Sequence, residues 1–238
     1  MLLAIDSATR RLSLALHDGV HVRAELAWET ANQHTVELTP AIQMLCARAG
    51  VSLRQPVAAA NSAPADLPVV TRIAVCQGPG SFSGLRVGVA TAKGLAAALH
   101  VPLIGVPTLA ITAAGTPHPA TVDAPAQTPL VAVAQAGRGR VCACHYRWVS
   151  GAGWQPTAET VIIGWEPLLA GLTERVLING ELEAPIPWAA SAHAPYFLPA
   201  AWQQRRAATL ADLAWQRPAA PPAAVMPIYI NQPGLPHP

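Results

Sequence analysis

Apolar and polar residues alternate with a period of two at the start of the chain. Leu12, Leu14 and Leu16 share one face of Arg11–His17, after a short apolar run at Leu2–Ile5. Asp18-Gly19 is a hairpin turn signal, and Val20–Leu26 reads as the returning strand. The period then lengthens. Leu38, Ile42, Leu45 and Ala49 recur at helical spacing within 34–50, and Gly50 supplies a stop. Pro40 predicts a bend in that helix, or a start later than Thr35. Residues 52–70, rich in Ala, Pro, Ser and Asn, read as a surface loop before a strand at Ile73–Cys76.

Next comes GPGSFSGLRVG, Gly78–Gly88, a glycine-rich loop that opens a helix at Ser83–Leu99. Leu85, Ala92, Leu95 and Leu99 form the stripe expected to pack on a sheet. Val87, Ala90, Thr91, Gly94 and Ala98 form a second stripe of small, weakly polar residues, with Arg86 and Lys93 between. A helix apolar on two sides is buried on two sides, against its own chain or a partner. A strand at Leu103–Val106 and a helix to about Ala114 follow. The Pro/Ala/Thr segment 115–128 reads as a domain junction. The second half repeats the theme, with strands at Leu130–Ala134 and Arg140–Tyr146 around a turn at Gly137–Gly139. A strand at Arg175–Ile178, a helix at Ala200–Trp215 and a Pro-rich tail from about 218 complete it. The pattern predicts a duplicated α/β domain, 1–114 and 115–238.

Composition narrows the function classes. Charged residues make up 12% of the chain, against roughly 25% in ordinary globular proteins. The net charge is +2 and no run of Lys or Arg occurs, so the basic stripe of a protein that holds nucleic acid unaided is missing. Cys46, Cys76, Cys142 and Cys144 have no zinc spacing. Asp6 interrupts the opening MLLAI, which argues against a signal peptide. The uncharged stretch Gly94–Val122 is broken by Pro102, Pro107, Pro117 and Pro119, which argues against a membrane span.

Candidate chemistry centres on the glycine loop. A P-loop needs a lysine directly after its last glycine, where this chain has Leu85; the dinucleotide fingerprint needs a tighter spacing than Gly78, Gly80, Gly84. An anion site of backbone N–H groups with Ser81 and Ser83 stays open, beside the simpler reading of a tight turn with Ser83 as helix N-cap. AIDSATRRLSLAL adds Asp6, Ser7 and Thr9 at a strand end, the layout of the phosphate hairpin in the actin and sugar-kinase fold. Further acids on strand ends are missing, so the catalytic set is incomplete. His17 and His21 flank a hairpin turn rather than a helical face, and His34 lacks an H-E-x-x-H partner. No G-x-S-x-G elbow occurs, and Asp123 and His145 offer no recognisable arrangement.

LLAIDSATRRLSLAL, HTVELTPAI at His34–Ile42 and GPGSFSGLRVGVATAKGLA together resemble the bacterial TsaB family, also called YeaZ; the ending PIYI, Pro227–Ile230, is similar too. The match is good to about residue 107 and looser beyond. The resemblance implies the two-lobed actin, sugar-kinase and chaperone-ATPase (ASKHA) fold with no active site or metal of its own. It implies a cytoplasmic, non-catalytic subunit that pairs with TsaD. TsaD is the metal-bearing paralogue that transfers threonylcarbamoyl to the adenosine beside the anticodon of tRNAs reading A-starting codons. The TsaE ATPase would join the complex, tRNA would be reached only through it, and a homodimer would use the same surface. No cofactor would be tightly held; weak ATP or ADP binding at the partner interface is implied, with Asp6, Ser7, Thr9, Gly78, Gly80, Ser81, Ser83 and Gly84 as its candidates. The partner surface, carried over by position, comprises His34, Leu38, Ile42, Val87, Ala90, Thr91, Gly94 and Ala98. Departures are Ser83 for the usual Thr, Gln135-Ala136-Gly137 for Asp-Ala-Arg, and Asn231 for Arg. The alternative is a nucleotide-dependent phosphotransferase or ATPase of the same fold using Asp6 and the Gly78–Gly84 loop; a metallopeptidase is a third reading.

Overall fold

The structure, a computed structural model, describes residues 1–31, 33–53, 67–182 and 186–230. Most of the expected 52–70 loop and Asn231 lie outside that set. The chain divides into two compact units. The first takes Met1–Gln77, Phe82–Val106 and Arg206–Pro227; the second takes Gly78–Ser81, Pro107–Arg205 and Ile228–Pro238.

The first unit is built on a five-stranded sheet in the order β3-β2-β1-β4-β5. Its strands are β1 (Leu2–Asp6), β2 (Arg11–His17), β3 (Val22–Glu29), β4 (Arg72–Gly78) and β5 (Leu103–Pro107). β1 runs antiparallel to β2 and parallel to β4. Alternation decides which residues face where. Leu12, Leu14 and Leu16 join Leu3, Ile5, Ile73 and Val75 in one core with α1 (His34–Arg48) and α2 (Phe82–Leu99). Ser13 and His17, on the other face, meet α6 (Ala207–Trp215): Ser13 Oγ accepts from Ala207 N–H, and His17 pairs with Asp212. β3 starts two residues later than the pattern suggested. Asp18 Oδ1 accepts from the N–H groups of Val20 and His21, which commits them to the turn.

The second unit repeats the plan. Its sheet runs β11-β10-β6-β7-β8, with β9 also paired to β7. The strands are β6 (Leu130–Gly137), β7 (Arg140–Val149), β8 (Gly153–Pro156), β9 (Val161–Gly164), β10 (Leu177–Gly180) and β11 (Tyr196–Phe197). β6 is antiparallel to β7 and parallel to β10, the relation that β1 bears to β2 and β4. α3 (Thr108–Ala114) contributes Leu109 and Ala113 to one face; α4 (Trp165–Ala170) covers the other.

Two boundaries differ from the sequence reading. The units divide at Val106/Pro107, ahead of the 115–128 segment, because α3 packs on the second sheet. The expected helix at 200–215 is two, α5 (Ala200–Gln203) and α6, broken at 204–206, and α6 returns to the first unit. The Pro-rich tail follows it. Ala220 N–H donates to Leu103 O on the edge strand β5, and Val225 is buried in the first core.

Candidate functional site

β1 ends at Asp6 and the chain turns through Ser7, Ala8 and Thr9 into β2. Asp6 is 1% exposed, and its Oδ1 accepts from Ala8 N–H at 3.0 Å. Ser7 Oγ donates to Gly84 O at 2.8 Å, inside the first turns of α2. Thr9 Oγ1 accepts from Arg11 N–H at 3.3 Å. The buried His34, first residue of α1, donates from Nε2 to Thr9 O at 2.8 Å. Asp6, Ser7 and Thr9, expected to cradle phosphate, are thus bonded to this chain's own backbone. Buried polar groups need such partners, since leaving one unmade costs about 1–3 kcal/mol.

The glycines of the motif have a steric job at the same joint. A Cβ at Gly84 would lie 2.2 Å from Ser7 O, and one at Gly88 would lie 2.0 Å from Ser7 Oγ. Helical spacing of four puts both glycines on one face of α2, and that face rests on the β1–β2 turn. Gly88 was not among the sequence candidates. Its i, i+4 relation to Gly84 was the signal for it.

Ser83 lies inside the first turn of α2, since the helix begins at Phe82, so Ser83 is not the N-cap. Gly78 takes φ +107°, a region open to glycine at little cost. Gly78, Gly80 and Ser81 cluster with the second unit, whereas Asp6, Ser7, Thr9, Ser83 and Gly84 belong to the first.

The two expected partner-facing helices divide differently. On α2, Ala90, Gly94 and Ala98 are exposed and Val87 and Thr91 are half-buried; a Cβ at Gly94 meets nothing within 4 Å. The stripe therefore opens to solvent. The buried side of α2 runs Leu85, Gly88, Val89, Ala92, Ala96 and Leu99, with Leu95 only partly covered. Lys93 turns from the stripe to the tail, donating to Ala223 O at 3.3 Å. On α1, His34, Leu38 and Ile42 are all buried, Leu38 and Ile42 in the hydrophobic core of the unit. They cannot form a surface, which corrects their assignment to the interface. The outward residues of α1 include Val36, Pro40, Gln43 and Met44 instead.

Among the described residues, nothing nucleophilic or metal-binding stands out elsewhere. Burial pushes the Cys46 and Cys142 thiols up to about 11, and burial lowers the His145 imidazole. His17 is buried against Asp212, whereas His21 is exposed. Among the described residues no three His, Cys, Asp or Glu side chains are grouped to hold a metal, and no helix is long and apolar enough to cross a membrane.

Comparison with known proteins places this geometry. Residues 28–220 match the family model described as TsaD, tRNA N6-adenosine threonylcarbamoyltransferase. The chain is 30% identical to the tRNA threonylcarbamoyladenosine biosynthesis protein TsaB of Bacillus subtilis (strain 168), over 75% of this chain and 70% of that one. It is 36% identical to the protein of the same name from Escherichia coli (strain K12), over 48% of this chain and 43% of that one. The matched segment thus spans less than half the E. coli relative. The solved structure of YeaZ from Pseudomonas aeruginosa superposes with a TM-score of 0.71 at 23% identity, covering 96% of this chain and 99% of that one. It establishes the same ASKHA-like α/β fold. On the B. subtilis relative, matched over more than two thirds of its length, the chain belongs to the TsaB (YeaZ) family.

Proposed function

We propose that this chain is a non-catalytic subunit that supports TsaD in transferring threonylcarbamoyl to the adenosine beside the anticodon of tRNAs reading A-starting codons. The observation that carries the reading is the joint at Ser7, Gly84 and Gly88. The hydroxyl and carboxylate that a phosphotransferase of this fold would turn toward phosphate are buried here and bonded to backbone. The motif that looks like a phosphate loop fixes α2 against the β1–β2 turn and leaves its far side, Val87, Ala90, Thr91, Gly94 and Ala98, open to a partner helix. Small residues let helix backbones approach closely, which suits a helix-on-helix contact with TsaD. TsaE would join that pair, tRNA would be met only through it, and any ATP or ADP would be held weakly where the partners meet.

The test is co-purification with TsaD of the same organism, together with tRNA modification reconstituted with and without this chain. Gly94→Trp should abolish both the complex and the stimulation while leaving the fold intact, because its side chain enters open space. An intact complex would remove α2 as the interface. ATP turnover by the purified chain alone, lost in a folded Asp6→Asn variant, would favour the phosphotransferase instead.

A further inference from the structure

In the second unit, β6 and β7 meet in a hairpin whose end reads Gly137-Arg138-Gly139-Arg140. Gly137 stands opposite Arg140, so Arg138 and Gly139 form a two-residue loop. Both have positive φ, +56° and +69°, as the tight hairpin turn requires. Arg138 is exposed and Arg140 is half-buried. Four arginines elsewhere are paired with carboxylates of their own chain: Arg23 with Asp18, Arg147 with Glu174, Arg205 with Glu181 and Arg206 with Glu25. Among the described residues neither Arg138 nor Arg140 has such a partner, and Arg140 Nε is buried with no acceptor. An unpaired arginine in the open is served by water. A shielded Nε–H is not, and buried donors left without a partner are rare.

Alternation along β7 puts Arg140 on the face that carries Cys142 and Cys144. Burial raises the Cys142 thiol and the Arg140 charge pulls the other way, so the guanidinium lies toward that end of the sheet. The strands around it hold no acid: Gln135–Cys142 contains no Asp or Glu, and neither does β9, which pairs with this end of β7. Glu181, whose carbonyl accepts from the Gln135 side chain, spends its carboxylate on Arg205. Two positive charges therefore stand together, unopposed by the strands that carry them. The space beside them is open, since a Cβ at Gly137 or Gly139 would meet nothing within 4 Å.

We propose that this hairpin end holds backbone phosphate of RNA, with Arg138 and Arg140 as the donors. The inference rests on the function proposed above, in which RNA meets this chain within the pair it forms with TsaD. A guanidinium fork matches phosphate oxygens two at a time. Arg140 gives up no ion pair when it turns outward, and a phosphate supplies the acceptor that its Nε lacks. Openness decides between a free nucleotide and a polymer. A small ligand is held by walls that cover most of its surface, whereas Gly137 and Gly139 face open space. A polyanion needs no walls, because each neutralised phosphate releases counterions. Two arginines fall far short of the basic stripe that holds RNA unaided, in keeping with a net charge of +2. The hairpin adds to a partner's grip on the RNA and does not replace it.

The experiment is fluorescence anisotropy of a labelled tRNA transcript, titrated with the full chain alone and with its pair with TsaD, over a series of salt concentrations. Circular dichroism confirms that each variant is folded. Arg140→Gln should lower the slope of log affinity against log salt by about 0.7–0.9, and Arg138→Gln combined with it by about twice that. Arg140→Lys keeps the charge and should keep the slope. Co-purification with TsaD should be unchanged in all three, which separates this inference from the proposed function. If wild type forms no pair, that function fails while titration of the chain alone still decides the phosphate contact. An unchanged slope in the double variant would overturn the inference, as would a tRNA that binds neither the chain nor the pair at low salt. ADP binding lost in Arg140→Gln, with tRNA binding untouched, would assign the arginines to a free nucleotide and overturn it too.

Discussion

The same substitution at two glycines of α2 should have opposite signs. A Cβ at Gly84 would sit 2.2 Å from Ser7 O, where ordinary contact begins near 3.4 Å, so the β1–β2 turn must retreat by more than an ångström. Overpacking of this kind costs about 1–3 kcal/mol. The retreat also stretches the 2.8 Å bond from Ser7 Oγ to Gly84 O, worth about 1 kcal/mol. Against these stands the helix preference of alanine over glycine, at most about 1 kcal/mol. Gly84→Ala should therefore destabilise the first unit by about 1–3 kcal/mol. At Gly94 a Cβ meets nothing within 4 Å, so only the preference term remains, and Gly94→Ala should stabilise by about 0.5–1 kcal/mol. For a unit of this size each kcal/mol moves the midpoint by about 4 °C. Scanning calorimetry reads both variants against wild type, with the transition of the first unit expected to move down in one and up in the other. A Gly84→Ala protein as stable as wild type would refute the close-approach argument. A Gly94→Ala protein of lowered stability would show that the outer stripe is already covered by its own chain.

Three further outcomes follow from single contacts. Glu25→Ala removes the carboxylate that accepts from Ala208 N–H and pairs with Arg206; α6 has no side-chain cap of its own. The expected loss is about 1–2 kcal/mol, seen as a lower urea midpoint with an unchanged slope. Asn179 is buried, donating to Thr116 Oγ1 at 2.7 Å and to Trp202 O at 3.1 Å while accepting from Gly180 N–H. Asn179→Asp replaces two donations with an unpaired charge and should cost about 2–4 kcal/mol in the second unit, measured by the same melts. The Cys46 and Cys142 thiols, raised to about 11 by burial, hold about one thiolate in a thousand at pH 8. They should resist Ellman's reagent until the chain unfolds. Since the unfolded thiols ionise first, their linkage lowers stability as pH rises from about 9 toward 11; a midpoint rising over that window would contradict the burial.

Much of the first unit was legible because its periodicity is local. The Leu12, Leu14, Leu16 alternation, the Asp18-Gly19 turn and the helical recurrence from Leu38 to Leu45 each fix an element without reference to distant residues. What the pattern missed depends on long-range partners. α6 carries no cap in its own sequence; Ser13 and Glu25, far away in the chain, supply it. The unit boundary at Val106 is likewise set by which sheet α3 covers. The outward assignment of Leu38 and Ile42 failed for a related reason. Positional likeness to a family singles out a helix, whereas burial decides which of its faces is still free.

The glycine-rich segment shows what such a motif can and cannot report. Glycines at fixed spacing on a helix mean that something approaches its backbone closely; the spacing does not name the visitor. In a nucleotide-binding loop the visitor is a phosphate, and the chain must then present unspent N–H and hydroxyl groups. Here the visitor at Gly84 and Gly88 is Ser7 of the same chain, and its hydroxyl is spent on the carbonyl of Gly84. That bond makes the joint rigid while removing a group that chemistry would need. It also fixes the orientation of α2, and hence the direction in which Ala90, Gly94 and Ala98 point. On the function proposed above, the segment does for a protein partner what a phosphate loop does for a nucleotide, by holding a recognition surface in place.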